Sequence, residues 1–229
     1  MEFWSKKIIG GIMKVTGVKT YVIENESAPR SGGGEQTGDW YIGGKYFLIL
    51  ELSTDEGIIG LGEKLTGSSF TGKMTWKDFR SQIQLVHETV EAFVVGKNPF
   101  DIEKIYYDMY AGRHDYRLPS LHFGMVLSGI EMALWDIVGK ATNQPVYKLL
   151  GGPCRGKLRV YANGWYAGST KPEDYAEKAK LTVDQGYTAL KFDPIPGPFR
   201  SIISSNNMKQ SIETVRQVRS AVGDDIDLL

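Results

Sequence analysis

The chain has 229 residues, and its 27 Lys plus Arg are balanced by 27 Asp plus Glu. That neutrality excludes bulk electrostatic recruitment to nucleic acid or to an anionic membrane surface. Hydrophobic residues make up 41% and charged residues 24%, the proportions of a globular protein with room for one large domain or two modest ones.

No stretch approaches the roughly 18–20 apolar residues of a membrane span. The single cysteine, Cys154, cannot close an intrachain disulfide, which fits a reducing cytoplasm. Lys6-Lys7 is followed by only Ile8-Ile9, too short for a signal-peptide apolar core. Residues 1–12 therefore read as an upstream extension, with a second methionine at Met13 directly before the first strand pattern.

Met13–Ile23 alternates partially and predicts a strand. Residues 24–43, with Pro29 and the Ser31-Gly32-Gly33-Gly34 run, predict a long loop. Lys45–Ser53 and Ile58–Glu63 predict two more strands, joined by a hairpin at Thr54-Asp55-Glu56-Gly57 whose glycine supplies positive φ. A second polar, Gly-rich loop spans 64–75. Helical spacing then runs from Trp76 to Val95, and Asn98-Pro99 stops it. A second helix is predicted over Phe100–Tyr110. A third, capped by Ser120 and closed by Pro145, carries Phe123, Val126, Leu127, Ile130, Ala133, Leu134, Ile137, Val138 and Ala141 on its apolar face. Residues 13–145 thus predict an α+β domain: a three-stranded antiparallel sheet under a helical bundle.

A different rhythm begins at Leu158. Leu158–Ala162 predicts a strand. Thr170 and Glu173 have capping-box spacing around Pro172, and Gly186 sits at a helix end. Thr188–Phe192 predicts a strand, Met208–Val222 a helix, and Ile226 opens another strand. Residues 146–229 therefore predict consecutive parallel βα units, the opening of a barrel that takes about 250 residues to complete. Within Ala189-Leu190-Lys191-Phe192-Asp193-Pro194, Lys191 and Asp193 fall on one strand face and Phe192 on the other. A charged pair at the C-terminal end of a parallel strand is where such folds keep their chemistry.

The segment Ala133-Leu134-Trp135-Asp136-Ile137-Val138-Gly139-Lys140, with Pro145-Val146-Tyr147-Lys148-Leu149-Leu150-Gly151-Gly152, resembles the signature of the mandelate racemase/muconate-lactonizing branch of the enolase superfamily. Val160-Tyr161-Ala162-Asn163-Gly164-Trp165-Tyr166 and Lys191-Phe192-Asp193-Pro194 resemble archaeal-type gluconate and related sugar-acid dehydratases. The resemblance implies a capping domain followed by a TIM-type (β/α) barrel. It also implies Mg2+, a small sugar-acid substrate and a homo-oligomer when complete. The chemistry implied is removal of the proton α to a carboxylate, stabilisation of the enediolate by Mg2+ and cationic side chains, and loss of the β-hydroxyl with general-acid help.

In the family the metal carboxylates lie at the ends of barrel strands three to five, and the base lies further on. The chain stops inside the third predicted strand, so no metal ligand is assigned here and the polypeptide by itself is expected to lack the parent activity. A racemase or cycloisomerase of the same branch is one alternative. A truncated remnant acting only by association is another.

By the resemblance, Lys191 contacts the substrate carboxylate. Asp193 stands where many relatives carry a second, basic lysine; it is expected to pair with Lys191 or to accept hydrogen bonds from sugar hydroxyls, with turn formation before Pro194 as the plain alternative. Asn163 and Tyr166 are candidate substrate contacts, with a turn-stabilising role equally open for Asn163. Trp165 is expected to pack. Loops 24–43 and 64–75 match the family's two specificity loops, and Trp40, Tyr41 and Phe70 would be their apolar lid contacts. Asp136 is expected to be structural, capping or pairing at the domain junction. Gly67 to Lys73 has phosphate-loop glycine spacing, but Met74 replaces the required hydroxyl. His87, His114 and His122 lack metal-ligand spacing.

Overall fold

A computed structural model describes residues 12–24, 46–64, 76–112, 121–195 and 203–229. Expectations for Trp40, Tyr41, Phe70, Ser120, His114 and the Gly67–Lys73 loop lie outside these residues. Two compact units divide between Cys154 and Arg155, later in the chain than the boundary at Pro145 expected from sequence.

The first unit is built on strands β1 (Val15–Glu24), β2 (Tyr46–Thr54) and β3 (Ile59–Lys64), paired antiparallel in that order. Leu48, Leu50 and Leu52 of β2 are fully buried and lie level with Lys64, Gly62 and Gly60 of β3. The turn between β2 and β3 follows the sequence expectation: Gly57 has φ 77°, and the Thr54 hydroxyl both donates to the Ile58 carbonyl and accepts from its N–H.

Helices α1 (Trp76–Phe93), α2 (Ile102–Ala111) and α3 (Leu121–Thr142) cover this sheet, α1 against β1 and α3 against β2 and β3. The apolar stripe predicted for α3 is the one buried: Phe123, Val126, Leu127, Ile130, Ala133, Leu134, Ile137 and Val138 all join the core. The α3 backbone comes so close to β3 that a Cβ on Gly62 would sit 1.9 Å from the Gly129 carbonyl oxygen. No side chain fits there, so glycine is required for space rather than for φ. Asn143, with φ 54°, ends α3 in the left-handed conformation. Pro145, expected to close α3, instead precedes the short helix α4 (Val146–Leu149).

Asp136 is structural, as expected, and its partners lie within this unit. Its Oδ2 accepts the Leu61 N–H at 2.8 Å and the Lys140 ammonium at 2.7 Å. Lys140 also donates to the Ile59 carbonyl at 2.7 Å. These two α3 side chains satisfy backbone groups on β3 that no further strand among the described residues takes up, shielding an edge that would otherwise invite pairing.

The second unit holds α5 (Pro172–Asp184), β4 (Ala189–Leu190), α6 (Ser205–Val222) and β5 (Asp227–Leu228), with β4 and β5 parallel. Ala162 bridges Leu190 in parallel on the other side of β4. The expected strand over Leu158–Ala162 reduces to that one bridge. Leu158, Val160 and Tyr161 stay exposed, because an alternating apolar run specifies a face but not a ladder partner.

Helix α5 starts on a different carboxylate from the one expected. Asp174, not Glu173, accepts the N–H groups of Thr170 and Lys171, each at 3.1 Å, and these bonds hold its carboxyl below the usual carboxylate range. Helix α6 begins three residues before the predicted Met208, because Ser204 caps it by accepting the Asn207 N–H at 3.1 Å. Helices α5 and α6 pack side by side, and Ala162, Ala179, Leu190, Phe192, Val218 and Ile226 form the core beneath them.

Arg159 ties the starts of the parallel segments together. It donates to the Thr188 hydroxyl at 3.0 Å, to the Thr188 carbonyl at 2.8 Å and to Asp227 at 2.6 Å. No helix among the described residues is long and apolar enough to cross a membrane. Cys154 is an exposed free thiol.

Candidate active site at the tip of β4

Beyond Leu190 the chain stays extended long enough to make two more parallel bonds: Lys191 N–H to the Ala162 carbonyl at 2.8 Å, and Phe192 N–H to the Leu229 carbonyl at 3.1 Å. Alternation therefore persists through Asp193. Phe192 is buried, while Lys191 is half-buried and Asp193 exposed on the opposite side. The face assignment made from sequence holds.

Two aromatic residues that follow Ala162 lock this tip. The Trp165 indole N–H donates to the Lys191 carbonyl at 3.0 Å. The Tyr166 hydroxyl donates to Asp193 Oδ2 at 3.2 Å. Beneath them the rings of Trp165, Tyr166, Tyr175 and Phe192 form a closed group in which every ring meets the other three. Tyr166 stacks on Tyr175 at 5.8 Å, and Trp165 lies 5.4 Å from Phe192. Such ring pairs add roughly 0.5–1.5 kcal/mol each beyond their burial. Tyr175, on the first turns of α5, carries no sequence signal of its own; only the fold brings it under Tyr166.

Burial, reinforced by the Asp193 charge, pushes the Tyr166 phenol up to about 12, and Tyr175 is shifted upward for the same two reasons. Tyr166 thus stays a hydrogen-bond donor at any physiological pH. The expected Lys191–Asp193 ion pair does not form: Asp193 takes the neutral tyrosine hydroxyl instead, and Lys191 has no ion-pair partner among the described residues.

Asn163 does not join the pair. It is exposed, and its Oδ1 accepts the Gly164 N–H at 3.0 Å, the local bond of a turn. A groove of about 500 Å³ runs beside this segment, lined by Asn163, Trp165, Lys178, Leu181 and Tyr187 among others. Neither Lys191 nor Asp193 lines it, so it is separate from the charged tip.

His87 shares a hydrogen bond with the Thr20 hydroxyl at 3.2 Å. Among the described residues no three His, Cys, Asp or Glu side chains gather as a metal site.

One buried ionisable group escaped the sequence reading. Lys64 of β3 has no exposure to water, and its ammonium donates to Gln82 Oε1 on α1 at 2.6 Å. Period-two alternation from Leu48 and Leu50 across the hairpin places it on the inner face, which is the signal that could have found it.

Residues 41–151 match the family model described as mandelate racemase / muconate lactonizing enzyme, N-terminal domain. The match covers a little under half of the chain. The D-gluconate dehydratase of Thermoproteus tenax is 38% identical over 185 residues, covering 80% of this chain and 35% of the relative. The D-gluconate/D-galactonate dehydratase of Picrophilus torridus is 36% identical over 197 residues, covering 86% and 46%. A crystal structure of a mandelate racemase/muconate lactonizing enzyme from Sulfitobacter sp. superposes with TM-score 0.75 at 31% identity, covering 95% of this chain and 52% of that one. The chain thus spans less than half the length of these two curated relatives. The three-stranded sheet with its helical cover matches the N-terminal domain of this family, and the parallel βα units follow it in the chain.

Proposed function

We propose that this chain supplies the carboxylate-binding tip of a sugar-acid dehydratase, within a (β/α) barrel whose opening units are β4, α6 and their neighbours. The observation that carries it is Lys191: a cation at the C-terminal end of a parallel strand, held by backbone bonds on both sides and without an ion-pair partner among the described residues. Lys191 would bind the carboxylate of a gluconate- or galactonate-like acid.

When the α C–H bond breaks, its electron pair moves onto the carboxylate as an enediolate. A fixed cation then stabilises that charge more than it stabilises the ground state. Return of the pair expels the β-hydroxyl, which leaves as water once protonated. Asp193 is already engaged as an acceptor, its Oδ2 taking the Tyr166 hydroxyl. The proton-abstracting base is therefore not assigned to it. Asp193 fits better as an acceptor for a substrate hydroxyl, and this favours dehydration over a two-base racemase.

The test joins residues 1–229 to the C-terminal portion of the Picrophilus torridus relative and follows D-gluconate dehydration with Mg2+ supplied. Lys191→Ala should lower kcat about 100-fold or more, with a smaller change in KM. Turnover within a few-fold of the unmutated fusion would remove Lys191 from the site.

A further inference from the structure

Tyr166 and Trp165 reach the tip of β4 from the same short segment, and each spends its single donor on it. The phenol proton lies on Asp193 Oδ2 at 3.2 Å. The indole proton lies on the Lys191 carbonyl at 3.0 Å. A tyrosine has one hydroxyl proton, so in this arrangement none is left for a substrate. Asp193 is exposed, and its second oxygen, Oδ1, takes no hydrogen bond from the described residues. The Tyr166 ring is held between Tyr175 and Phe192, so the phenol cannot swing away without breaking the four-ring group.

We propose that Tyr166 is a positioning residue that acts through Asp193: it fixes Oδ2 so that Oδ1 stands beside Lys191 as the acceptor for a hydroxyl of a polyhydroxy acid. This rests on the reading of Lys191 as the carboxylate contact. Trp165 plays the matching part for the backbone of Lys191. Residues two apart on a strand are roughly 6.6 Å apart. That separation suits a carboxylate held by the cation and a hydroxyl a few carbons along the same chain held by the acceptor. The tip therefore selects an acid bearing a hydroxyl donor, not a simple carboxylate. Tyr166 shapes that selection without touching the ligand, where the sequence pointed to a direct contact.

Two measurements test it. On the 229-residue chain, ultraviolet resonance Raman spectra of wild type minus Tyr166→Phe isolate the Tyr166 ring doublet. It should show a hydrogen-bond donor, and Asp193→Asn should change that signature, whereas Lys191→Ala should not. A Tyr166 signature indifferent to Asp193→Asn overturns the proposal.

In the fusion enzyme, Tyr166→Phe should lower kcat/KM about tenfold. Added to Asp193→Asn, it should lower it no further, because its effect runs through the carboxylate. A further tenfold loss in the double variant would mean that Tyr166 contacts substrate itself, and would overturn the positioning role. Full activity of Lys191→Ala with an intact Raman signature would instead sink the function proposed for Lys191, so the two failures are distinguishable. A fusion without turnover leaves the Raman result to decide the Tyr166–Asp193 pair.

Discussion

Lys64 sits out of water on the inner face of β3, its ammonium 2.6 Å from Gln82 Oε1. Burial lowers its pKa from 10.5 to about 8. Between those two values the unfolded chain keeps a proton that the folded chain has given up. Stability should therefore rise with pH across that window and fall again as pH drops through about 8. Tyr166 works the other way. Its phenol is raised from 10.0 to about 12, so the folded chain keeps a proton the unfolded one has lost, and stability should decline across that range. Urea denaturation midpoints at stepped pH check both: Lys64→Met should flatten the rise, and Tyr166→Phe the decline. A wild-type curve that falls steadily from pH 8 would contradict the Lys64 part. At this scale the sequence was legible where chemistry follows alternation, as with Lys191 and Asp193 on one face and Phe192 on the other. It was not legible where a partner arrives from elsewhere in the chain. Asp193 was expected to meet its neighbour Lys191, two residues away. The fold brings it the hydroxyl of Tyr166 from the end of the preceding segment.

Helix α3 lies close against β3. A Cβ on Gly62 would approach the Gly129 carbonyl oxygen to 1.9 Å, and one on Gly60 the Ala133 carbonyl oxygen to 2.1 Å. Neither obstacle is a side chain that can rotate aside, so the helix itself must move. Gly62→Ala should cost at least the upper end of the roughly 1–3 kcal/mol typical of overpacking, read as a lower urea midpoint with an unchanged m-value. A loss of a few tenths of a kcal/mol would show that α3 yields more easily than its packing suggests. Long periodic elements such as α3 were visible in the sequence because their apolar stripe coincides with their buried face. The parallel strands were placed correctly but drawn too long. Leu158–Ala162 has the alternation of a strand, yet only Ala162 finds a partner, and pairing is a tertiary fact that local pattern does not carry. Helix starts were missed for a related reason. Several Ser, Thr and Asp residues near one boundary are all competent caps, and Ser204 and Asp174 won by geometry.

Across the whole molecule the two units differ in how much they bury. The first gathers a continuous core from β1 and β2 through α3, whereas the second, among the described residues, gathers a core cluster of six buried hydrophobic residues and has strands of two residues each. Amide exchange should follow that difference. The β2 and α3 amides should be the slowest in the chain, and those of 189–190 and 227–228 distinctly faster, by mass-detected hydrogen exchange. Equal protection in both units would mean that they unfold as one. The α3 contacts have one more consequence. Ala133 to Lys140 is the stretch that made the family readable, and its two charged members are both spent on β3: Asp136 on the Leu61 N–H, Lys140 on the Ile59 carbonyl. The most recognisable words in this sequence describe how a sheet edge is sealed. They identify the ancestry of the scaffold while staying silent about its reaction. Two chains could share every letter of that stretch and differ in what they do to a substrate; under the function proposed above, the short, easily overlooked run from Lys191 to Asp193 is where they would diverge.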